Sequence, residues 1–156
     1  MIVKSHKFLK YVIFFLCFTI LVVVLYNIYK INESDIILSN IKQEVQQNDY
    51  VDFSKVVEGD WDNIILVTPY TDKAKIKNNY GIAVNRISDF SIAYRDDSVL
   101  IIFCKGESIQ NYIYWLGSVS SSEDEKLYDS LQIKREDAQF KTSNNNVFLN
   151  LIHVKE

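Results

Sequence analysis

The sequence predicts an α+β fold, with an N-terminal transmembrane helix followed by a small domain in which an antiparallel sheet of about five strands carries two or three helices. Three observations lead there. Positions 11–29 contain no charged residue; several apolar runs of strand character are joined by turns too short for crossover connections; and helix-capping residues open the remaining segments. Of the 156 residues, the roughly 125 that follow the apolar run are enough for one domain with a modest core and too few for two.

The apolar run lies between Lys10 and Lys30. At about 1.5 Å per residue, a helix over positions 11–29 spans close to the roughly 30 Å hydrocarbon core of a bilayer. It continues into Tyr26, Asn27, Ile28 and Tyr29 with no small residues of the kind a signal peptidase requires, so it reads as an uncleaved signal anchor. Cys17 follows Phe14, Phe15 and Leu16, which is not a lipoprotein cleavage context. Tyr11, Tyr26 and Tyr29 fall near the two ends, where amphipathic rings favour the headgroups. Lys4, Lys7 and Lys10 outnumber Lys30, which orients the N-terminus to the cytoplasm. The expected organisation is a cytoplasmic tail over 1–10, a membrane anchor over 11–29, a membrane-proximal helix over 30–49 and an extracytoplasmic domain over 50–156. The lipid bilayer is thus the first expected partner, and the cell membrane, crossed once, the expected location.

In the membrane-proximal helix, Ser34 is placed to cap and Ile37, Ile41 and Val45 recur every four residues. That narrow stripe suits either a stalk or a helix lying on the sheet. Asn63–Thr68 is a continuous apolar run after Glu58-Gly59-Asp60, as expected of a central strand buried on both faces. Pro69 ends it, Thr71 is placed to cap a short helix through Asn79, and Gly81 stands where a left-handed C-terminal residue is wanted. Three strands are expected next, Asp89–Tyr94, Val99–Lys105 and Ser108–Leu116, forming a meander through Arg95-Asp96-Asp97-Ser98 and Gly106-Glu107. Ser122 and Glu125 have capping-box spacing ahead of Leu127 and Leu131, which predicts another helix. A final hairpin runs from Ala138–Thr142 through Ser143-Asn144-Asn145-Asn146 into Val147–Val154.

Net charge is −3, but residues 31–156 carry 13 basic against 20 acidic side chains, a balance of −7. A domain so acidic is not built for nucleic acid or an anionic lipid surface. Abundant isoleucine, asparagine, lysine and tyrosine beside 4 glycines and 1 proline is the bias of AT-rich codons and points to a low-GC bacterium. Cys17 and Cys104 fall in different compartments, so no intrachain disulfide is expected and packing alone holds the domain.

Candidate chemistry is sparse. His6 lies in the tail and His153 at the end of the last strand, which leaves a histidine-based metal site or triad only one possible outer member. Cys104 and His153 are a conceivable nucleophile and base, but Ile101, Ile102 and Phe103 mark Cys104 as a core thiol. Glu58, Asp60 and Asp62 offer three carboxylates to a cation, without the further ligands of a calcium loop; a solvated turn is the simpler reading. Glu123-Asp124-Glu125 reads as an acidic first helical turn. No cofactor, metal site or catalytic residue is expected.

Strand alternation over Ile109–Leu116 puts Ile109, Ile113 and Trp115 on one face and Tyr112 with Tyr114 on the other. An open tyrosine face suits a protein partner or stacking on a cell-wall sugar; a helix laid over it makes it core instead.

The frame Trp61-Asp62, Ile64-Ile65-Leu66-Val67, Pro69-Tyr70-Thr71 and Gly81, with Phe103-Cys104-Lys105-Gly106 leading into Tyr112, resembles small membrane-anchored and lipoprotein-type domains of Firmicutes. The likeness covers roughly residues 55–115 and implies no established activity. The expected function is a surface-displayed, non-enzymatic protein-interaction or accessory module, an immunity factor being one form, that meets a membrane or secreted protein through Trp61, Tyr70, Tyr112 and Tyr114. The alternatives are a small cell-envelope enzyme using Asp60, Asp62 or Cys104, and a cell-wall glycan-binding domain.

Overall fold

A computed structural model of the chain describes residues 3–87, 89–122, 125–126, 130–145 and 148–154. The chain forms two units, residues 1–33 and 34–156. The first is helical, the start of helix α1 (Val3–Gln47). Its described side chains from Leu9 to Tyr29 are all exposed, and the helix is long and apolar enough to cross a membrane. The Thr19 hydroxyl donates to the Leu16 carbonyl at 2.8 Å, satisfying within the helix the one hydroxyl among these side chains outside its tyrosines.

The second unit is α+β. It comprises the end of α1, β1 (Tyr50–Asp52), α2 (Phe53–Val56), β2 (Asn63–Val67), α3 (Lys73–Tyr80), β3 (Ser98–Lys105), β4 (Ser108–Leu116), β5 (Val119–Ser122), β6 (Glu125–Lys126), β7 (Leu131–Lys134), β8 (Gln139–Asn145) and β9 (Phe148–His153). The strands divide between two sheets, ordered β4-β3-β2-β7 and β1-β8-β9-β5-β6. This corrects the expected single sheet of about five strands. The chain leaves the first sheet at Gly117, whose φ of 130° is open to glycine alone. After it, Val119 and Ser120 pair with Leu151 and Ile152 of β9 in parallel, the one parallel pairing among the described strands.

Strand β2 is interior and buried along its whole length, as its unbroken apolar run requires. Its side chains serve two cores. Ile64 and Leu66 join Phe53, Trp61, Ile101, Phe103, Trp115, Phe140 and Leu151 in a cluster shared by both sheets. Ile65 and Val67 join Ile76, Ile82, Ile92, Leu100, Ile102 and Cys104 on the other face. Each such side chain, taken fully from water, contributes about 1.5–3 kcal/mol. Ile37, Ile41 and Val45 belong to the first cluster, so the helix after Ser34 lies on the sheet and is no stalk. Ser34 donates to Asn111 Oδ1 at 2.7 Å.

Four local expectations are corrected. Asp72, not Thr71, caps α3, its carboxylate accepting from Lys75 N–H at 2.7 Å; Thr71 is buried, its hydroxyl 3.2 Å from that of Thr68. Gly81 does end this helix left-handed, at φ 72°. The segment expected as a strand at Asp89–Tyr94 is instead a 3-10 turn over Ser91–Tyr94. Strands β2 and β3 already pair on both sides, and Ile92 is buried by lying across the second core. Ser122 and Glu125 pair with each other across β5 and β6, because their spacing fits a tight hairpin as well as a capping box. Of the helix expected after them, Leu131 belongs to β7 and Leu127 is outside the described residues. Lastly, Ile109 shares the second core with Tyr112 and Tyr114, while Ile113 and Trp115 face the first. A register shift between Phe103 and Cys104 opposite switches the alternation.

Candidate functional site

At one end of the four-stranded sheet β2 stops after Val67, β3 begins at Ser98 and β4 finishes at Leu116. The register Val67–Leu100 and Ser98–Leu116 brings these three ends together. The chain turns there through Pro69 and Tyr70, and Tyr70 has φ 61°, a left-handed conformation seldom adopted by a residue with a bulky side chain. Its N–H donates to the Ile92 carbonyl at 2.9 Å. That bond ties the turn to the 3-10 segment, so Tyr70 and Tyr94 stand at the same end, 68% and 89% exposed. Leu116 is also exposed there, at 48%.

The support beneath is polar and aromatic. Tyr114 donates its hydroxyl to the Asp89 carbonyl at 2.5 Å and accepts from Ser91 N–H at 3.1 Å. Burial pushes its phenol above the ordinary range. Arg95 donates to Asp97 at 3.0 Å and lies 5.6 Å from the Tyr114 ring centroid. Asp97 also accepts from the Ser98 hydroxyl at 2.7 Å, and its carboxylate is held below the usual range by Arg95 first and Ser98 second. Lys73 sits 5.5 Å from the Phe90 ring centroid.

The four aromatic residues singled out in the sequence thus part company. Tyr70 is on the surface. Trp61 is 3% exposed, packed edge-on against Phe103 with centroids 5.3 Å apart and donating its indole N–H to the Val57 carbonyl at 3.1 Å. It is a core residue and presents nothing to a partner. Tyr112 and Tyr114 are half-buried against the second core and each other, with centroids 6.4 Å apart. Of the two arrangements left open for that face, the structure gives one partly buried against the second core, and the more exposed rings are those of Tyr70 and Tyr94. Tyr94 is not among the expected contact residues, because an alternating strand over Asp89–Tyr94 conceals it. Its one signal is the polar run Arg95-Asp96-Asp97-Ser98 directly after it.

The groups considered for chemistry are occupied structurally. Asp60 pairs with Lys105, and Asp62 accepts the Gly106 N–H at 3.1 Å, pinning the β3–β4 turn. Among the described residues no three His, Cys, Asp or Glu side chains are grouped to hold a metal. Cys104 is fully buried, and burial, with Asp62 nearby, pushes its thiol up to about 12. His153 lies in the other sheet, with Nε2 2.8 Å from the Asp137 carbonyl and its ring 5.6 Å from that of Phe140. Cys104 and His153 therefore form no pair. His153 lines a pocket of about 350 Å³ with Ile133, Lys134, Asp137 and Gln139.

No family model, curated protein or solved structure matches the chain, and the resemblance over residues 55–115 gains no support from these comparisons.

Proposed function

We propose that this chain is a membrane-anchored interaction or accessory module, of immunity type in one form, that meets a membrane or secreted protein through the Tyr70–Tyr94 end of its domain. In this reading residues 11–29 cross the bilayer once, and the excess of Lys4, Lys7 and Lys10 over Lys30 keeps the N-terminus in the cytoplasm and the domain outside. The observation that carries it is the exposure of two tyrosine rings at one place. Tyrosine supplies a large, stiff contact area at low entropic cost and is enriched where proteins meet. Tyr70 is moreover held there in a backbone conformation that its own side chain disfavours, the kind of local strain that clusters at binding sites.

The test is a photo-crosslinking residue placed at Tyr94 in the full-length protein in its own membranes, with the same residue at exposed Lys141 on β8 as the control. Capture of one discrete protein from Tyr94 alone is the expected result, and Tyr70→Ala should reduce it several-fold. Equal capture from both positions, or none from either, overturns the proposal.

A further inference from the structure

We infer that the partner meets this end with a positively charged segment; the inference rests on the docking surface proposed above and names the chemistry of its occupant. The argument is one of charge complementarity. Close along the chain stand Asp72 and Lys73, after Tyr70, and Asp89, Arg95, Asp96 and Asp97, on either side of Tyr94. Both cations are committed to the domain itself. Lys73 rests by the Phe90 ring, and Arg95 is bound to Asp97 and laid over Tyr114. Asp72, Asp89 and Asp96 remain exposed without an ion pair to any described residue. The carboxylates therefore set the outward field here, within a region of 13 basic and 20 acidic side chains over residues 31–156. Such a field draws in and orients a cationic partner and repels an acidic one.

The rings point the same way. An exposed tyrosine face attracts a guanidinium or ammonium within about 6 Å of its centroid, and arginine is the side chain most often found there. The protein already uses that contact internally, with Arg95 on Tyr114 and Arg135 on Trp61. Tyr70 and Tyr94 offer two more faces flanked by carboxylates, with Leu116 beside them for an apolar neighbour. The segment that fits carries two or more arginines or lysines and an aliphatic residue.

The test uses the full-length protein in uncharged phosphatidylcholine nanodiscs and three fluorescently labelled 12-residue peptides. These are alike except that their charged positions are arginine, glutamate or glutamine. The arginine peptide should bind at least tenfold more tightly than the other two and weaken at least tenfold between 50 and 500 mM salt. Tyr70→Ala with Tyr94→Ala should abolish its preference although every carboxylate is kept, which separates a site from general attraction. Asp89→Asn with Asp96→Asn keeps the rings and leaves the Asp72 cap of α3 untouched; it should lose most of the salt dependence. Equal binding of the three peptides overturns the inference, as does arginine binding indifferent to the tyrosines. Crosslinking at Tyr94 in cells keeps the two claims apart. Capture that survives Asp89→Asn with Asp96→Asn upholds the docking surface and sinks the cationic partner; capture by the parent that this variant loses upholds both; no capture by the parent sinks both. Retention on purified peptidoglycan unaffected by those aspartates, or a crosslink to a second copy of this chain, overturns the inference in favour of another occupant.

Discussion

Arg135 lays its guanidinium over the face of Trp61, 4.4 Å from the ring centroid, and from there donates to the carbonyls of Gly59 at 2.9 Å, Trp61 at 3.1 Å and Ser54 at 3.3 Å. One side chain directly after β7 thus ties α2 and the irregular stretch that leads from it into β2. Only a planar fork with several donors serves a ring and three carbonyls at once.

Arg135→Ala should therefore cost about 2–3 kcal/mol, more than a surface arginine would, because carbonyls lose their donors and the indole loses its cover. Arg135→Lys should restore less than half. Chemical unfolding of the full-length protein in mild detergent, followed by tryptophan fluorescence, measures both. A loss below about 0.5 kcal/mol for the alanine variant would mean that the carbonyls find water instead.

If the proposed docking surface holds, Tyr70 opposes stability to binding at one position. Its φ of 61° strains any residue with a Cβ, and its side chain is 68% exposed. Tyr70→Gly should thus raise stability by about 1 kcal/mol, and the β-branched Tyr70→Val should lower it by about as much. Both should weaken partner capture. A Tyr70→Gly protein that is less stable than the parent would show that the ring contributes more by packing than the backbone loses by strain.

The sequence made legible whatever depends on neighbours along the chain. The buried run of β2, the β3–β4 hairpin, the glycine closing α3 and the last hairpin follow from periodicity and turn chemistry. What depends on distant pairing was hidden. The division into two sheets rests on β9 taking β5 as a parallel neighbour, and short strands carry no mark of which sheet they join. Ile92 alternates with Phe90 and Tyr94 as a strand would, yet it is buried by crossing the sheet, which depends on β2 and β3 having no free edge. The site suffered from the same blindness. Trp61 and Tyr70 look alike as aromatics flanking β2, but Trp61 is buried by partners distant in the chain, Phe103 on β3 and Arg135, 74 residues after it.

Cys104 should be inert to thiol reagents in the folded protein, since its thiol is pushed up to about 12 from an ordinary 9.0. The unfolded chain releases this proton above pH 9 while the folded chain keeps it until about 12. The folded state then holds more protons, so the contribution is full below pH 9 and falls as pH rises through that window. Cys104→Ala should cost about 1 kcal/mol at neutral pH by leaving a small cavity. Its stability should decline less steeply than the parent's above pH 9. Parallel alkaline profiles for the two proteins would show that the thiol ionises as easily folded as unfolded.

The anchor makes a prediction independent of the domain. With every described side chain from Leu9 to Tyr29 exposed, the apolar helix has no protein surface to shield it, and the full chain should stay with membranes through alkaline carbonate extraction. Replacing Leu21 and Val22 with arginine should weaken insertion by roughly 5 kcal/mol or more on insertion scales and release a large fraction. Release of the parent protein by carbonate would mean that the helix only lies on the bilayer. Protease added outside intact cells should cut the domain, and protection would reverse the proposed orientation.

The hydroxyl of Ser34 and the amide of Asn111 join the helix to the sheet. Asn111 Oδ1 also accepts the Tyr112 N–H at 2.8 Å, which fixes the amide with Nδ2 buried and without a partner among the described groups. Ser34→Ala removes the neutral hydrogen bond to Asn111 and should cost about 1 kcal/mol. Asn111→Ala deprives two donors and opens space beside Phe103, so about 2 kcal/mol is expected. Were the helix a stalk, the two losses would simply add. Because Ser34 lies one turn before Ile37, and Ile37, Ile41 and Val45 are core residues, the double variant should instead recover about 1 kcal/mol of coupling. A coupling indistinguishable from zero would show that Ser34 and Asn111 do not tie the helix to the sheet.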